Sequence, residues 1–128
     1  IDIENIPTEA KTLALIVDDP DAPRGTFDHW IMWNISPDGK IKENSAPGVE
    51  GRNSAAENKY YAPCPPTGTH HYHFKVYALD TKLDLRDNAD KGVLTEAMQG
   101  HVIGSGEIVG LYESKKVKRP PDRVNAEV

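Results

Sequence analysis

Two clusters of polar residues have the types and spacing that ligand binding or catalysis requires. The first is the acidic turn, residues 19–23 (Asp-Pro-Asp-Ala-Pro), which is followed six residues later by His29. The second is residues 63–66 (Pro-Cys-Pro-Pro), which precede the run His-His-Tyr-His at residues 70–73. Carboxylates, imidazoles and a phenol can hold a small ion or exchange a proton with a ligand.

The acidic turn has a backbone whose shape is restricted by its own prolines. Pro20 and Pro23 fix φ at about −65° and hold the residues before them extended. The carboxylates of Asp19 and Asp21 can therefore be presented in a fixed direction at the end of a strand. The alternative is an ordinary surface turn, in which Asp and Pro are common, and spacing alone favours that alternative.

The second cluster places its residues on two faces of one predicted strand. His70 and Tyr72 are two positions apart and point the same way. Together with His29 they could line a pocket for a small anion, donating from imidazole N–H and phenol O–H groups.

His71 and His73 share the opposite face of the same strand, which opens a competing interpretation. An H-x-H pair supplies half of a metal site, and His29, His101 or an acid would have to complete it. A third alternative is that these histidines are ordinary surface or core residues, and the pattern alone favours it.

Cys64 is the only cysteine, and we expect it to be a packed structural thiol. It lies between two prolines, with no helix N-terminus to lower its pKa, so a Cys–His nucleophile is disfavoured. One cysteine also excludes an internal disulfide and a Cys-based zinc site.

The elements that must position these residues are mostly strands. An unbroken apolar run at residues 12–17 predicts a strand buried on both faces, and residues 30–35 predict a second. Residues 71–79 alternate and predict a strand with Tyr72, Phe74, Val76 and Ala78 in a core. Residues 102–112 predict a final strand.

The remaining segments are a long loop and one helix. Residues 36–69 are rich in Pro and Gly, and we expect short strands inside them, one near residues 41–43. Residues 88–100 predict a helix capped by Asn88 and ended by Gly100, with one apolar stripe: Val93, Leu94, Ala97 and Met98. The pattern as a whole, many short strands with Pro/Gly turns and one helix, predicts a mainly β protein and favours a β-sandwich.

Length and charge exclude several classes of function. The 128 residues predict a single domain, and the net charge of −5 argues against a nucleic-acid binder. No apolar run approaches the roughly 18 residues of a membrane span. Trp30 or Trp33 could mark a homodimer face or belong to the core, and short apolar runs favour the core.

Four segments in a fixed order resemble one known family. DPDAP, GTFDHWIMWNI, PCPPTGTHHYHFKVYALD and AMQGHVIGSGEIVGLYE are similar to the phosphatidylethanolamine-binding protein family, in particular its bacterial and archaeal Raf kinase inhibitor-like branch. The resemblance covers about residues 13–113. It implies a mainly β fold, a two-sheet antiparallel β-sandwich with one or two short helices. It also implies a small pocket for phosphate or a phosphorylated head group. The implied pocket residues are Asp19, Pro23, His29, Pro66, His70 and Tyr72.

The resemblance leads to an electrostatic expectation and includes three departures. An acid beside histidines raises their pKa, so imidazolium groups should donate to the anion, and binding should weaken as pH rises. The family's Arg between His70 and Tyr72 is His71 here, and we expect its orienting role to be lost. Members of the family usually carry a further N-terminal segment before the position that matches Ile1, and the C-terminal helix of the animal branch has no match in residues 115–128.

We therefore expect a PEBP-like domain at residues 1–114, incomplete at its N-terminus, and a polar tail at residues 115–128. The predicted function is non-enzymatic binding of an anionic or phosphorylated ligand, with a kinase or protease partner and without cofactor, metal, nucleic acid or stable membrane insertion. A homodimer is an open alternative to a monomer. The predicted compartment is the cytoplasm, with secretion or the periplasm as alternatives. The alternative functions are a hydrolase or metal-dependent enzyme that uses the histidines, and an interaction protein with an inactive pocket.

Overall fold

The central feature of the computed structural model is a five-stranded antiparallel sheet. The structure describes residues 2–22, 24–41, 45–61, 69–113 and 125–127. The strands are β1 (Asp2–Glu4), β2 (Thr12–Asp19), β3 (Phe27–Ile35), β4 (Val49–Glu50), β5 (Thr69–Leu79), β6 (Val102–Glu113) and β7 (Asn125–Glu127), with one helix, α1 (Lys91–Met98). The order across the large sheet is β4-β3-β2-β5-β6.

Strand β2 lies in the middle of the sheet, and all eight of its residues are buried. This confirms the strand predicted from residues 12–17, which continues through Asp18 to Asp19. The prediction of alternation in β5 is also confirmed, because Tyr72, Phe74 and Val76 are buried while the residues between them are only partly buried. Strand β2 ends at the predicted site residue Asp19, and strand β5 begins just before the predicted site residues His70 and Tyr72.

Each face of the sheet supports its own apolar core. One core contains Leu13, Leu15 and Val17 of β2 with Phe74 and Val76 of β5. The residues on the other face include Ala14, Ile16, Ile31, Trp33, Leu94 and Met98. Trp33 is fully buried, which places it in the core rather than on a dimer face.

Helix α1 covers the second core, and its start differs from the prediction. Asp90, not Asn88, caps the helix, because its Oδ1 accepts a hydrogen bond of 3.0 Å from the N–H of Val93. Leu94 and Met98 are buried as expected, whereas Val93 is exposed. The buried part of the predicted stripe is therefore narrower than expected and consists of Leu94 and Met98.

The second sheet is a parallel pair formed by β1 and β7. These strands come from opposite ends of the chain, so no hairpin turn forces them to be antiparallel. The prediction of a mainly β fold with a short helix is confirmed. The short strand found inside residues 36–69 is β4; of the predicted strand at 41–43, Ile41 is not in a strand, and residues 42 and 43 lie outside the described ranges.

Candidate functional site

A β-bulge at His29 shapes the end of the sheet where the candidate site lies. Val17 pairs with Trp30 and Asp18 pairs with Asp28, so His29 is an extra residue with no partner on β2. A bulge breaks the alternation of side chains and turns the extra residue in a new direction. The side chain of His29 therefore does not have to point to the face of the sheet that regular alternation along β3 would assign to it.

The ring of His29 is buried among aromatic side chains. It meets the ring of Tyr72 edge-on, with centroids 4.9 Å apart, and it lies 4.7 Å from the ring of Phe27. Its Nδ1 lies 2.7 Å from the carbonyl oxygen of Tyr61, whose own N–H donates to the carbonyl of His29. Because a carbonyl only accepts, Nδ1 carries the proton, and Nε2 is the ring nitrogen left for a ligand.

Burial favours the neutral form of the His29 imidazole. Desolvation lowers its pKa below the ordinary value, and the bond to the Tyr61 carbonyl and the charges of Asp19, Asp28 and Asp18 only partly oppose this effect. The acids act in the expected direction, but burial outweighs them, so the expected net rise in the pKa of His29 is wrong. Its Nε2 accepts hydrogen bonds rather than donating them.

Asp19 ends β2 beside this ring and is itself buried, with 2% of its surface exposed. It pairs across the sheet with Phe27, whose ring contacts His29. Its Oδ1 accepts a hydrogen bond of 2.8 Å from the N–H of Asp21. The acidic turn therefore folds back on the carboxylate at its own first residue, as an Asx turn does.

The acidic turn is also tied to strand β5. Oδ2 of Asp21 lies 3.0 Å from the backbone nitrogen of His71 and 2.7 Å from its Nδ1, so both N–H groups can donate to one oxygen. His71 is therefore in contact with the acidic turn through two hydrogen bonds, and the loss of the orienting role of the family's Arg stays a prediction.

The structure brings together three of the six predicted pocket residues: Asp19, His29 and Tyr72. His70 lies in β5 opposite Tyr112, two positions before Tyr72, and its side chain is outside the described part. Pro23 and Pro66 lie outside the described residues, as does Cys64. Their predicted roles stay predictions.

Two residues of the site were missed from sequence. Phe27 and Tyr61 flank His29, and their rings lie 5.4 Å apart. Phe27 stands in the motif GTFDHW, where its place two residues before His29 was a usable signal. Nothing in the sequence pointed to Tyr61, which acts through its backbone 32 positions away.

The metal interpretation of His71 and His73 finds no support in the described residues. His71 contacts Asp21, whereas the Nδ1 of His73 contacts Glu107 of β6. Among the residues that the structure describes, no three His, Cys, Asp or Glu side chains are grouped so that they could hold a metal ion.

A second charged group, the Asp18 cluster, joins helix α1 to the sheet. Asp18 Oδ2 lies 3.1 Å from Lys75 Nζ and 3.5 Å from Lys91 Nζ, and Lys91 Nζ lies 2.6 Å from Asp28 Oδ1. Burial alone would lower the pKa of Lys91, but the bonds to the two carboxylates outweigh it and raise that pKa. The lysine therefore stays charged at the base of the helix.

Comparison with known proteins gives consistent matches. The family model described as phosphatidylethanolamine-binding protein matches residues 1–113. A UPF0098 protein of Pyrococcus abyssi is 52% identical over 124 residues, which cover 88% of this chain and 70% of that protein. A Mycobacterium tuberculosis protein named as the lipoprotein LppC is 39% identical, and the match covers 84% of this chain and 56% of LppC.

Two crystal structures share the fold. A phosphatidylethanolamine-binding protein homologue of Chlamydia trachomatis, CT736, superposes with a TM-score of 0.82 at 42% identity, covering 86% of this chain and 76% of that one. YbcL of E. coli superposes with a TM-score of 0.72 at 31% identity, covering 84% and 74%. In the described part of the chain, no helix has the length and apolar character needed to cross a membrane.

Proposed function

The chain belongs to the phosphatidylethanolamine-binding protein family, and from that premise we propose that it is a non-enzymatic protein that binds a small phosphorylated anion. The proposed site is the end of the sheet formed by Asp19, His29 and Tyr72. The observation that carries the proposal is the bulge at His29, which turns a buried imidazole toward the ring of Tyr72. Bulges are frequent beside binding sites because they aim one side chain.

The protonation of His29 defines which form of the anion suits the site. Nε2 of His29 accepts, and so does the carboxylate of Asp19, so a ligand must bring a proton of its own. A phosphate monoester has a second pKa of about 6 and carries an O–H group below it. We therefore expect the monoanion to bind, with further donors from the predicted ligand residue His70.

The contacts of His29 favour binding over hydrolysis. In the described part of the chain, the ring touches aromatic side chains and a backbone carbonyl, not a serine or cysteine whose proton it could take. This supports the non-enzymatic proposal over the hydrolase alternative.

The test is calorimetric titration with phosphoethanolamine, inorganic phosphate and sulfate at pH 6 and pH 8. If only the monoanion binds, phosphoethanolamine affinity falls by up to about 50-fold from pH 6 to pH 8, following the fraction of monoanion. Sulfate cannot bring a proton in this range and should bind weakly at both pH values. Equal phosphoethanolamine affinity at both pH values would overturn the assignment of a monoanion.

Variants separate the site from the rest of the surface. His70→Ala and Tyr72→Phe should weaken phosphate binding, and His101→Ala, which changes a histidine paired with Asp80 away from the site, should not. A stoichiometric heat with zinc that disappears in the His71→Ala/His73→Ala double variant would instead support the metal-dependent alternative. Kinase or protease modulation and a homodimer stay predictions; sedimentation of the purified chain tests the dimer.

A further inference from the structure

Three histidines of the described chain share one motif: Nδ1 contacts a carboxylate. His101 contacts Asp80 at 2.8 Å, and His73 contacts Glu107. His71 contacts Asp21 at 2.7 Å. The partner of His71 differs from the other two carboxylates because Asp21 belongs to the acidic turn and lies two residues after Asp19.

A continuous series of hydrogen bonds runs from His71 to Asp19. The backbone N–H and the Nδ1–H of His71 donate to the same oxygen of Asp21. The N–H of Asp21 donates in turn to Oδ1 of Asp19. Two donors on one residue fix the position and direction of the Asp21 carboxylate, and with it the backbone that holds Asp19.

We propose that His71 is a positioning residue of the pocket, which holds the acidic turn so that Asp19 keeps its orientation beside His29. The proposal rests on the proposed function, because Asp19 matters only if a ligand binds there. His71 and Asp21 are about half exposed, so this pair adds little to global stability. Its effect should appear in ligand affinity rather than in folding.

Substitutions at position 71 distinguish positioning from bulk. His71→Asn keeps a side-chain N–H close to the place of Nδ1, whereas His71→Gln carries its amide one carbon further along. His71→Ala keeps only the backbone donor. The matched control is His101→Ala. It removes a histidine–aspartate pair that lies away from the turn but has a similar exposure and a similar Nδ1–Oδ distance.

The experiment is titration of each variant with inorganic phosphate at pH 6. Loss of a hydrogen bond to a charged group, reduced because the pair is about half exposed, predicts about five- to tenfold weaker binding for His71→Ala and His71→Gln. His71→Asn and His101→Ala should stay within about twofold of the wild type, and thermal melting should show all variants folded. Equal losses in His71→Ala and His71→Asn, or no loss in His71→Ala, would overturn the proposal.

The same variants are compared without ligand by amide NMR. His71→Ala should move the amide proton resonance of Asp21, which reports its bond to Asp19, and His71→Asn should restore it. If the wild type binds no phosphate, the proposed function fails, yet this resonance still decides whether His71 holds the turn. An unmoved Asp21 resonance in His71→Ala would overturn the positioning role regardless of ligand.

Discussion

The Asp18 cluster predicts a specific loss of stability when its central charge is removed. The side chain of Asp18 is 3% exposed, and those of Lys75 and Lys91 are 32% and 30% exposed. In Asp18→Asn, Lys91 keeps Asp28, so the main loss is the charge-assisted bond from Lys75. Such bonds contribute about 1.5–3 kcal/mol, and the partial exposure of Lys75 reduces this to about 1–2 kcal/mol.

Urea denaturation at pH 7.5 measures this loss directly as a lower free energy of unfolding. In a thermal melt, the same loss of about 1–2 kcal/mol lowers the melting temperature by about 3–8 °C in a domain of this size. The matched control is Asp80→Asn, because Asp80 is 45% exposed in its pair with His101, and its removal should cost at most about 0.5 kcal/mol. Equal effects of the two substitutions would refute the reasoning that burial, not charge pairing as such, sets the contribution.

Two further predictions concern His29 and the glycines. The pKa of His29 is lower in the folded protein than in the unfolded chain, so as the pH falls the unfolded chain binds this proton before the folded protein does. The free energy of unfolding should therefore fall as the pH drops below about 6.5. In His29→Gln, which lacks this titrating group, the fall should be smaller. Urea denaturation at pH 7.5 and pH 5 tests this, and equal pH dependence of the two proteins would contradict it. A Cβ at Gly51 would lie 2.4 Å from Cζ3 of Trp33 and 2.6 Å from the carbonyl oxygen of Ala89, so Gly51→Ala should destabilise by about 1–3 kcal/mol. Gly92→Ala, where a Cβ meets only Asp90 Oδ1 at 3.4 Å, should instead stabilise by about 0.5 kcal/mol, and the same sign in both would contradict the packing argument.

Strands could be predicted from the sequence because their patterns are local. The unbroken run in β2 and the alternation in β5 each follow from how a strand of that kind is buried. Helix α1 was found, but its cap was placed at Asn88, because Asn88 and Asp90 are both good caps and only the hydrogen bond to Val93 distinguishes them.

The sequence could point to residues that lie together in the fold, but it could not predict their protonation or their orientation. Resemblance to a family pointed to Asp19, His29 and Tyr72, which the structure brings together. The bulge at His29 depends on the register between β2 and β3, which no single segment encodes. The lowered pKa of His29 was missed for a similar reason, since the sequence displays the nearby acids and not the burial.

The contact between the acidic turn and strand β5 could not be predicted from the sequence either. The resemblance predicts that an orienting role is lost at His71, because histidine stands where the family has Arg. Only the distance from Nδ1 to Oδ2 of Asp21 reveals that the His71 side chain contacts the acidic turn. Residues 50 positions apart leave no trace of such a contact in one sequence.

The most direct measurement of the central claim is an amide NMR titration of the whole chain with phosphoethanolamine at pH 6. We expect saturable shifts of the amide resonances, concentrated at Asp19, His29 and Tyr72. At pH 8 the same shifts should require a much higher ligand concentration. Shifts centred on His73 and Glu107, or no saturable shift at the end of β2, would contradict it.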